Sequence, residues 1–201
     1  MINKRFIVML GAPGSGKGTQ GKLLAQNLGY GYFSMGSVLR QIAMGSDERS
    51  AEIKALIDSG KVIPDDMIRK IFLDQLDKFS AHESVVIDGF PRDIDQVNIL
   101  NDALKQHEVK RLCVVHLDVP RQVLVDRIQE RNEEAAVKRA DDKASIIGTR
   151  FVEYDQKTFP LIEYFQNVGV LIQINGNRPI EEVHQEILKK VTNTFDPHTN
   201  G

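Results

Sequence analysis

The sequence predicts an α/β fold, a doubly wound parallel sheet of five strands carrying two small insertions. Three observations lead there. Short runs rich in Val and Ile lie at 6–10, 85–87, 113–117 and 170–174 without strict alternation, which suits strands buried on both faces. Helical patterns separate these runs, as the crossovers of a parallel sheet require. A glycine-rich turn, "GAPGSGKGTQ" at 11–20, joins the first run directly to a helical pattern.

Taken in order, "FIVML" (6–10) is the first strand and "GTQGKLLAQNL" (18–28) the first helix. "YGYFSM" (30–35) is a fifth strand candidate with a thinner apolar pattern. Residues about 34–65 are helical with no strong strand after them, and read as an insertion. Within them "AEIKALIDSG" ends at Gly60, a residue type suited to closing a helix in the left-handed conformation. "PDDMIRKIFLDQLDKF" opens on Pro64 and two acids, as a helix N-terminus prefers. The strand "VVI" (85–87), a helix after "GFPRD", the strand "CVVHL" (113–117) and the helix "RQVLVDRIQER" follow. "NEEAAVK" (132–138) interrupts the helical pattern as a second insertion. A long helical segment from about Asp141 to Gln166, the strand "VLIQI" and the helix "PIEEVHQEILKKV" complete the chain. A length of 201 residues fits a single domain, 1–201, bearing lobes at about 34–65 and 132–138.

Composition narrows the function classes. A net charge of −2 gives no basic excess for nucleic acid or a membrane surface. The single cysteine, Cys113, excludes a disulfide framework and a four-thiolate metal site. It lies in an apolar run and reads as a core residue. The five histidines show no metal-ligand spacing, and His116, inside a strand, reads as a satisfied core group. The apolar run at 6–10 is shorter than the roughly 7–15 residues of a secretory leader. A cytoplasmic chain without a membrane span is expected.

The glycine turn carries the chemistry. Gly11, Gly16 and Lys17 fit the phosphate-loop pattern G-x-x-x-x-G-K-[ST], but Gly18 stands where a hydroxyl is expected and Thr19 brings it one residue late. A strand before the loop and a helix after it give the right context. Such a loop turns backbone N–H groups around an anion, adds the positive end of a helix, and lets the lysine reach the outer phosphates. The strand at 85–87 then ends in Asp88, where a phosphate-loop protein holds its magnesium, directly or through water.

"GAPGSGKGTQ" and "DGFPR" resemble the adenylate kinase family of nucleoside monophosphate kinases, whose loop reads G-K-G-T. The likeness runs nearly end to end through "GKVIPDD", "VDRIQER", "RFVEYDQKTFPLIEYF" and "INGNRP". It implies reversible transfer of the γ-phosphoryl of ATP to a nucleoside monophosphate, AMP first among them, with Mg2+. Gly14, Ser15, Gly16, Lys17, Gly18 and Thr19, with Arg127, Arg131 and Arg178, are then the ATP side. Arg40 and Arg92 hold the acceptor phosphate, Lys61, Val62, Ile63 and Gly89 line its site, and Arg139 and Arg150 bridge donor and acceptor. The resemblance makes Lys17, Arg92, Arg131, Arg139 and Arg150 the catalytic set and Asp88 the magnesium carboxylate, through water. Gln96 reads the adenine with an amide that both donates and accepts. Arginine suits the work because its planar fork binds phosphate oxygens in pairs and stays charged. No protein nucleophile is needed, since the acceptor phosphate is already ionised. The seven residues between Arg131 and Arg139 match the family's short lids and contain no Cys or His, so no zinc is expected. A monomer is the family-level expectation.

The chain departs from the family at "SMGSVLR", where S-T-G-D-x-L-R is usual. Met35 replaces the Thr beside the acceptor base, and Ser37 replaces an Asp that organises metal-bound water. Asp93, Gly148, Thr149 and Arg178 are further substitutions. Two alternatives therefore stand beside the AMP reading: a nucleotide-binding regulatory protein with weakened catalysis, and a kinase for CMP or UMP.

Overall fold

The computed structural model describes residues 4–61, 63–79, 83–134 and 144–195. Five strands, β1 (Arg5–Gly11), β2 (Gly31–Ser34), β3 (Val85–Asp88), β4 (Arg111–Asp118) and β5 (Leu171–Asn175), form one sheet in the order β2-β3-β1-β4-β5. Every pairing is parallel. β1 is central, and Phe6 to Leu10 are at most 2% exposed. Its side chains alternate between two cores, as strand pleating requires. Phe6, Val8 and Leu10 join the core that includes Phe33, Ile87, Phe72 and Leu100. Ile7 and Met9 join the opposite one with Leu24, Val86, Val115 and Ile187. Continuous hydrophobicity in these strands thus follows from burial on both faces.

The helices are α1 (Lys17–Leu28), α2 (Met35–Ile42), α3 (Glu48–Ser59), α4 (Asp65–Leu76), α5 (Ile94–Gln106), α6 (Arg121–Glu134), α7 (Ala144–Glu153), α8 (Pro160–Asn167) and α9 (Ile180–Phe195). α2 and α3 make up most of the expected helical insertion. Asp47 caps α3 by accepting the Ser50 N–H at 2.7 Å, and Gly60 closes it at φ 73°. Among the described residues, no helix is long and apolar enough to cross a membrane.

Four boundaries differ from the sequence reading. Met35 is the first residue of α2 and not the end of β2. Pro64 precedes α4 as its cap, with Asp65 and Asp66 in the first turn. α6 runs through Glu134, so residues 132–134 continue the helix; 135–138 lie outside the described residues. The long helix expected from 141 to 166 is divided by a π-helical turn, Tyr154–Thr158. Pro160 explains the last difference. It has no N–H for the helical ladder, and its ring crowds the carbonyl four residues back. The backbone widens there, with the Phe159 N–H reaching the Tyr154 carbonyl five residues back at 2.8 Å.

The strand order places a site. The chain moves from β1 to one side of the sheet and later crosses to the other. Crevices at such switch points, beyond the C-terminal strand ends, are where open α/β sheets bind ligands. Here the crevice receives the loop after β1 and the end of β3, where Met9 is in register with Asp88.

Candidate active site

The loop from Ala12 to Gly16 turns on two glycines in the left-handed region, Gly14 at φ 83° and Gly16 at φ 93°. A side chain at Gly14 would also collide with the Leu124 carbonyl, 2.7 Å from an added Cβ. The Ser15 N–H bonds the Ala12 carbonyl at 3.1 Å, and the buried Ser15 hydroxyl has no protein partner. α1 starts at Lys17 with no acid of its own in the first turn, so the helix does not neutralise its own positive end. Lys17 curls back, and its ammonium donates to the Ala12 carbonyl at 2.9 Å.

Two clefts open from this loop. One, of about 900 Å³, is lined by Gly14, Gly16, Gly18, Thr19 and Lys22 of the loop and α1, by Asp88 at the end of β3, by Tyr32, Ser34 and Ser37, and by Arg131 of α6. The other, of about 860 Å³, runs between Leu39, Ile57, Lys61 and Ile63 of the small lobe and Glu153, Tyr154 and Thr158. Pro13, Lys17, Gly36, Arg40, Gly89, Arg92 and Arg150 line both, so the clefts meet at a group of cations. Gly36 lies beside this convergence: a Cβ there would lie 3.4 Å from Arg40 Nη1 and 3.8 Å from Arg92 Nη2.

Arg92 is fixed from several directions. Its Nε donates to the Gly89 carbonyl at 3.0 Å. Its main-chain carbonyl accepts from the Thr158 hydroxyl at 2.7 Å, and its main-chain N–H donates to Gln96 Oε1 at 2.9 Å. Arg40 Nη2 donates to Ser37 Oγ at 3.3 Å. Desolvation lowers the Lys17 pKa to about 8; Asp88 opposes the shift, while Arg92, Arg150 and Arg131 add to it. The positive charges of these arginines disfavour the charged form of Lys17. An anion entering at the junction relieves that repulsion.

Asp88 is 8% exposed and Tyr32 is its hydrogen-bond donor, at 3.4 Å. With the Thr19 hydroxyl in the same cleft, the available donors are hard oxygens, which suit magnesium. Among the described residues, no three His, Cys, Asp or Glu side chains gather to hold a metal alone. Magnesium usually takes one or two carboxylates and completes its shell with phosphate and water, so the donor set fits that ion.

Several residues named from the sequence lie elsewhere. Met35 is 1% exposed, packed in the core that includes Leu39 and Ile63. Gln96 is equally buried and lines neither cleft; beyond Arg92, its Nε2 donates to Asp93 Oδ2 at 3.1 Å and Asp65 Oδ1 at 3.3 Å. Arg127 donates to the Gly176 carbonyl at 3.1 Å. Arg178 pairs with Glu186 and donates to the Asn175 carbonyl at 3.3 Å. Neither of these two arginines lines a cleft. Val62 and Arg139 lie outside the described residues. His116 is buried on β4 with Nε2 3.4 Å from the Tyr154 hydroxyl, while its Nδ1 has no partner. Cys113 is buried, which pushes its thiol up to about 12.

The sequence reading passed over Tyr32, Glu153, Tyr154 and Thr158. Arg150, Glu153 and Tyr154 stand three and four residues apart, the spacing of one helix face, and that spacing was available as a signal.

Comparison with known proteins agrees with this geometry. The family model described as "Adenylate kinase" matches residues 9–170. Adenylate kinase 1 from Synechocystis sp. is 35% identical over 191 residues, covering 95% of this chain and 99% of the relative. The adenylate kinase of Bacteroides fragilis is 37% identical over 185 residues, covering 92% and 97%. That of Leptospira biflexa is 36% identical over 190 residues, covering 94% and 100%. With a phosphate loop, a carboxylate on the neighbouring strand and a junction of arginines on a five-stranded parallel sheet, the chain belongs to the adenylate kinase family.

Proposed function

We propose that this protein reversibly transfers the γ-phosphoryl group of ATP to AMP, giving two ADP. The observation that carries the proposal is the meeting of two clefts at Lys17, Arg92 and Arg150. Two polyanions approaching in line need that junction, because positioning and charge neutralisation do most of the work of phosphoryl transfer. In the forward step an oxygen of the acceptor phosphate bonds to the γ-phosphorus as the bridge to the β-phosphate breaks. The phosphate-loop N–H groups and Lys17 hold the β- and γ-phosphates. Arg40 and Arg92 hold the acceptor phosphate, and Arg131, Arg139 and Arg150 take up charge on the transferred group.

Asp88, through water, and Thr19 would hold Mg2+, which would supply positive charge to offset that of the phosphates. Residues about 34–65 form the acceptor lobe, and those about 132–138 a short lid that keeps water from the transfer. Arg127 and Arg178 serve the ATP side without lining either cleft. Lys61, Val62, Ile63 and Gly89 shape the acceptor site, with Met35 in the core behind Leu39 and Ile63. For Gln96 to read adenine, its amide must exchange the long Asp65 contact for the base while its carbonyl keeps the Arg92 N–H. The protein works as a cytoplasmic monomer.

The names of the relatives support AMP over CMP or UMP, and an enzyme over a regulatory protein. A coupled assay of ADP formation with Mg-ATP and AMP, dAMP, CMP, UMP or GMP tests the reading. AMP is expected to give the highest kcat/KM. A pyrimidine monophosphate ahead of AMP would overturn the acceptor assignment, and no turnover with any of them would overturn the kinase reading.

A further inference from the structure

Asp88 is the one carboxylate among the described residues lining the phosphate-side cleft, and it faces several lysines and arginines. A lone carboxylate in such company has strong reasons to swing onto a cation and away from a metal. One neutral donor opposes that. Tyr32, on β2 beside β3, lines the same cleft and donates its phenolic proton to Asp88 Oδ2 at 3.4 Å.

The ring is seated by the sequence of α1. A Cβ at Gly21 would come within 3.1 Å of Tyr32 Cε2. At Gly18 it would lie 3.8 Å from the Tyr32 hydroxyl and 3.4 Å from Asp88 Oδ2. Gly21 therefore leaves the space that the ring occupies, while position 18, where a Cβ would make only ordinary contact, borders the hydroxyl and carboxylate. The strand register fixes the other side, with Tyr32 opposite Val86 and Ser34 opposite Asp88.

We propose that Tyr32 is a positioning residue for the metal, its phenol restraining one oxygen of Asp88 so that the carboxylate presents the other to the water shell of a phosphate-bound divalent cation. The proposal rests on the reading of Asp88 as the magnesium carboxylate.

Tyr32→Phe tests it, because the ring stays in its slot and only the hydroxyl is lost. Mn2+ binding to the protein–ADP complex is measured by electron paramagnetic resonance of the free ion, alongside ADP binding in EDTA and the thermal midpoint. Asp88→Asn is measured in parallel. Mn2+ affinity is expected to fall about two- to tenfold in Tyr32→Phe, the worth of one hydrogen bond, and further in Asp88→Asn. Metal-free ADP affinity and the midpoint stay unchanged in Tyr32→Phe. If Asp88→Asn loses Mn2+ and Tyr32→Phe does not, the role of Tyr32 is overturned and the metal reading stands. If neither loses it, the assignment of Asp88 fails and the proposal with it. If Tyr32→Phe weakens metal-free ADP as much as Mn2+, the tyrosine only packs, and the proposal is wrong.

Discussion

The side-chain carbonyl of Gln96 accepts the main-chain N–H of Arg92 at 2.9 Å, tying a buried amide to the backbone of a cleft arginine. Gln96→Leu keeps much of the volume but leaves that N–H, and the partners of its Nε2, without the amide. Leaving a buried polar group unsatisfied costs about 1–3 kcal/mol. Gln96→Leu is therefore expected to lower the thermal midpoint and to raise the KM for AMP more than that for ATP. A variant with wild-type midpoint and equal KM changes for both nucleotides would show that this contact does not hold Arg92.

Arg92 and Arg150 stand where the clefts join, and under the proposed function each contributes to the transfer itself. Losing a buried charge-assisted contact to a phosphate costs about 2–5 kcal/mol, or about 30- to several-thousand-fold in rate. Arg92→Ala and Arg150→Ala are each expected to lose activity on that scale and retain the far-UV dichroism of the parent. Near-parental turnover in either removes that residue from the reacting centre.

Lys17 links pH to both stability and binding. In the folded chain its pKa is lowered to about 8 from an ordinary 10.5. Between those values the unfolded chain binds the extra proton, so from this group alone stability rises with pH from about 8 to about 10.5. A nucleotide's phosphates favour the charged lysine and restore its pKa. ATP binding at about pH 9 is thus expected to take up a proton, seen as a buffer-dependent heat in titration calorimetry, and Lys17→Met should abolish the uptake. Proton-neutral binding by the parent at that pH would place Lys17 away from the phosphates.

Much of this architecture is legible in local sequence. Val- and Ile-rich runs located four of the five strands, most plainly the central ones buried on both faces, while β2 showed only the thinner pattern of "YGYFSM". The glycine loop and Asp88 belong to adjacent strands, so a motif and a strand end sufficed to bring them together. What escaped is carried by contacts between distant segments. Gln96 is held by Asp65, 31 residues away, and Thr158 donates to Arg92, 66 residues away; neither link has a local pattern. Met35 ends the strand candidate "YGYFSM" in the sequence, but α2 begins there and turns it into the core it shares with Phe33, Leu39 and Ile63. The π-helical turn did have a marker, Pro160, whose missing N–H forces the ladder to widen just before it.

In the proposed reaction one phosphoryl group passes directly from ATP to AMP at the junction of the two clefts. The most direct measurement follows ATP labelled in its γ-phosphate, incubated with the protein, Mg2+ and AMP, with products separated at early times. Label is expected in the β-phosphate of newly formed ADP, with little in inorganic phosphate, and in neither product with Arg92→Ala on the same timescale. Label released as inorganic phosphate at a rate indifferent to AMP would contradict it.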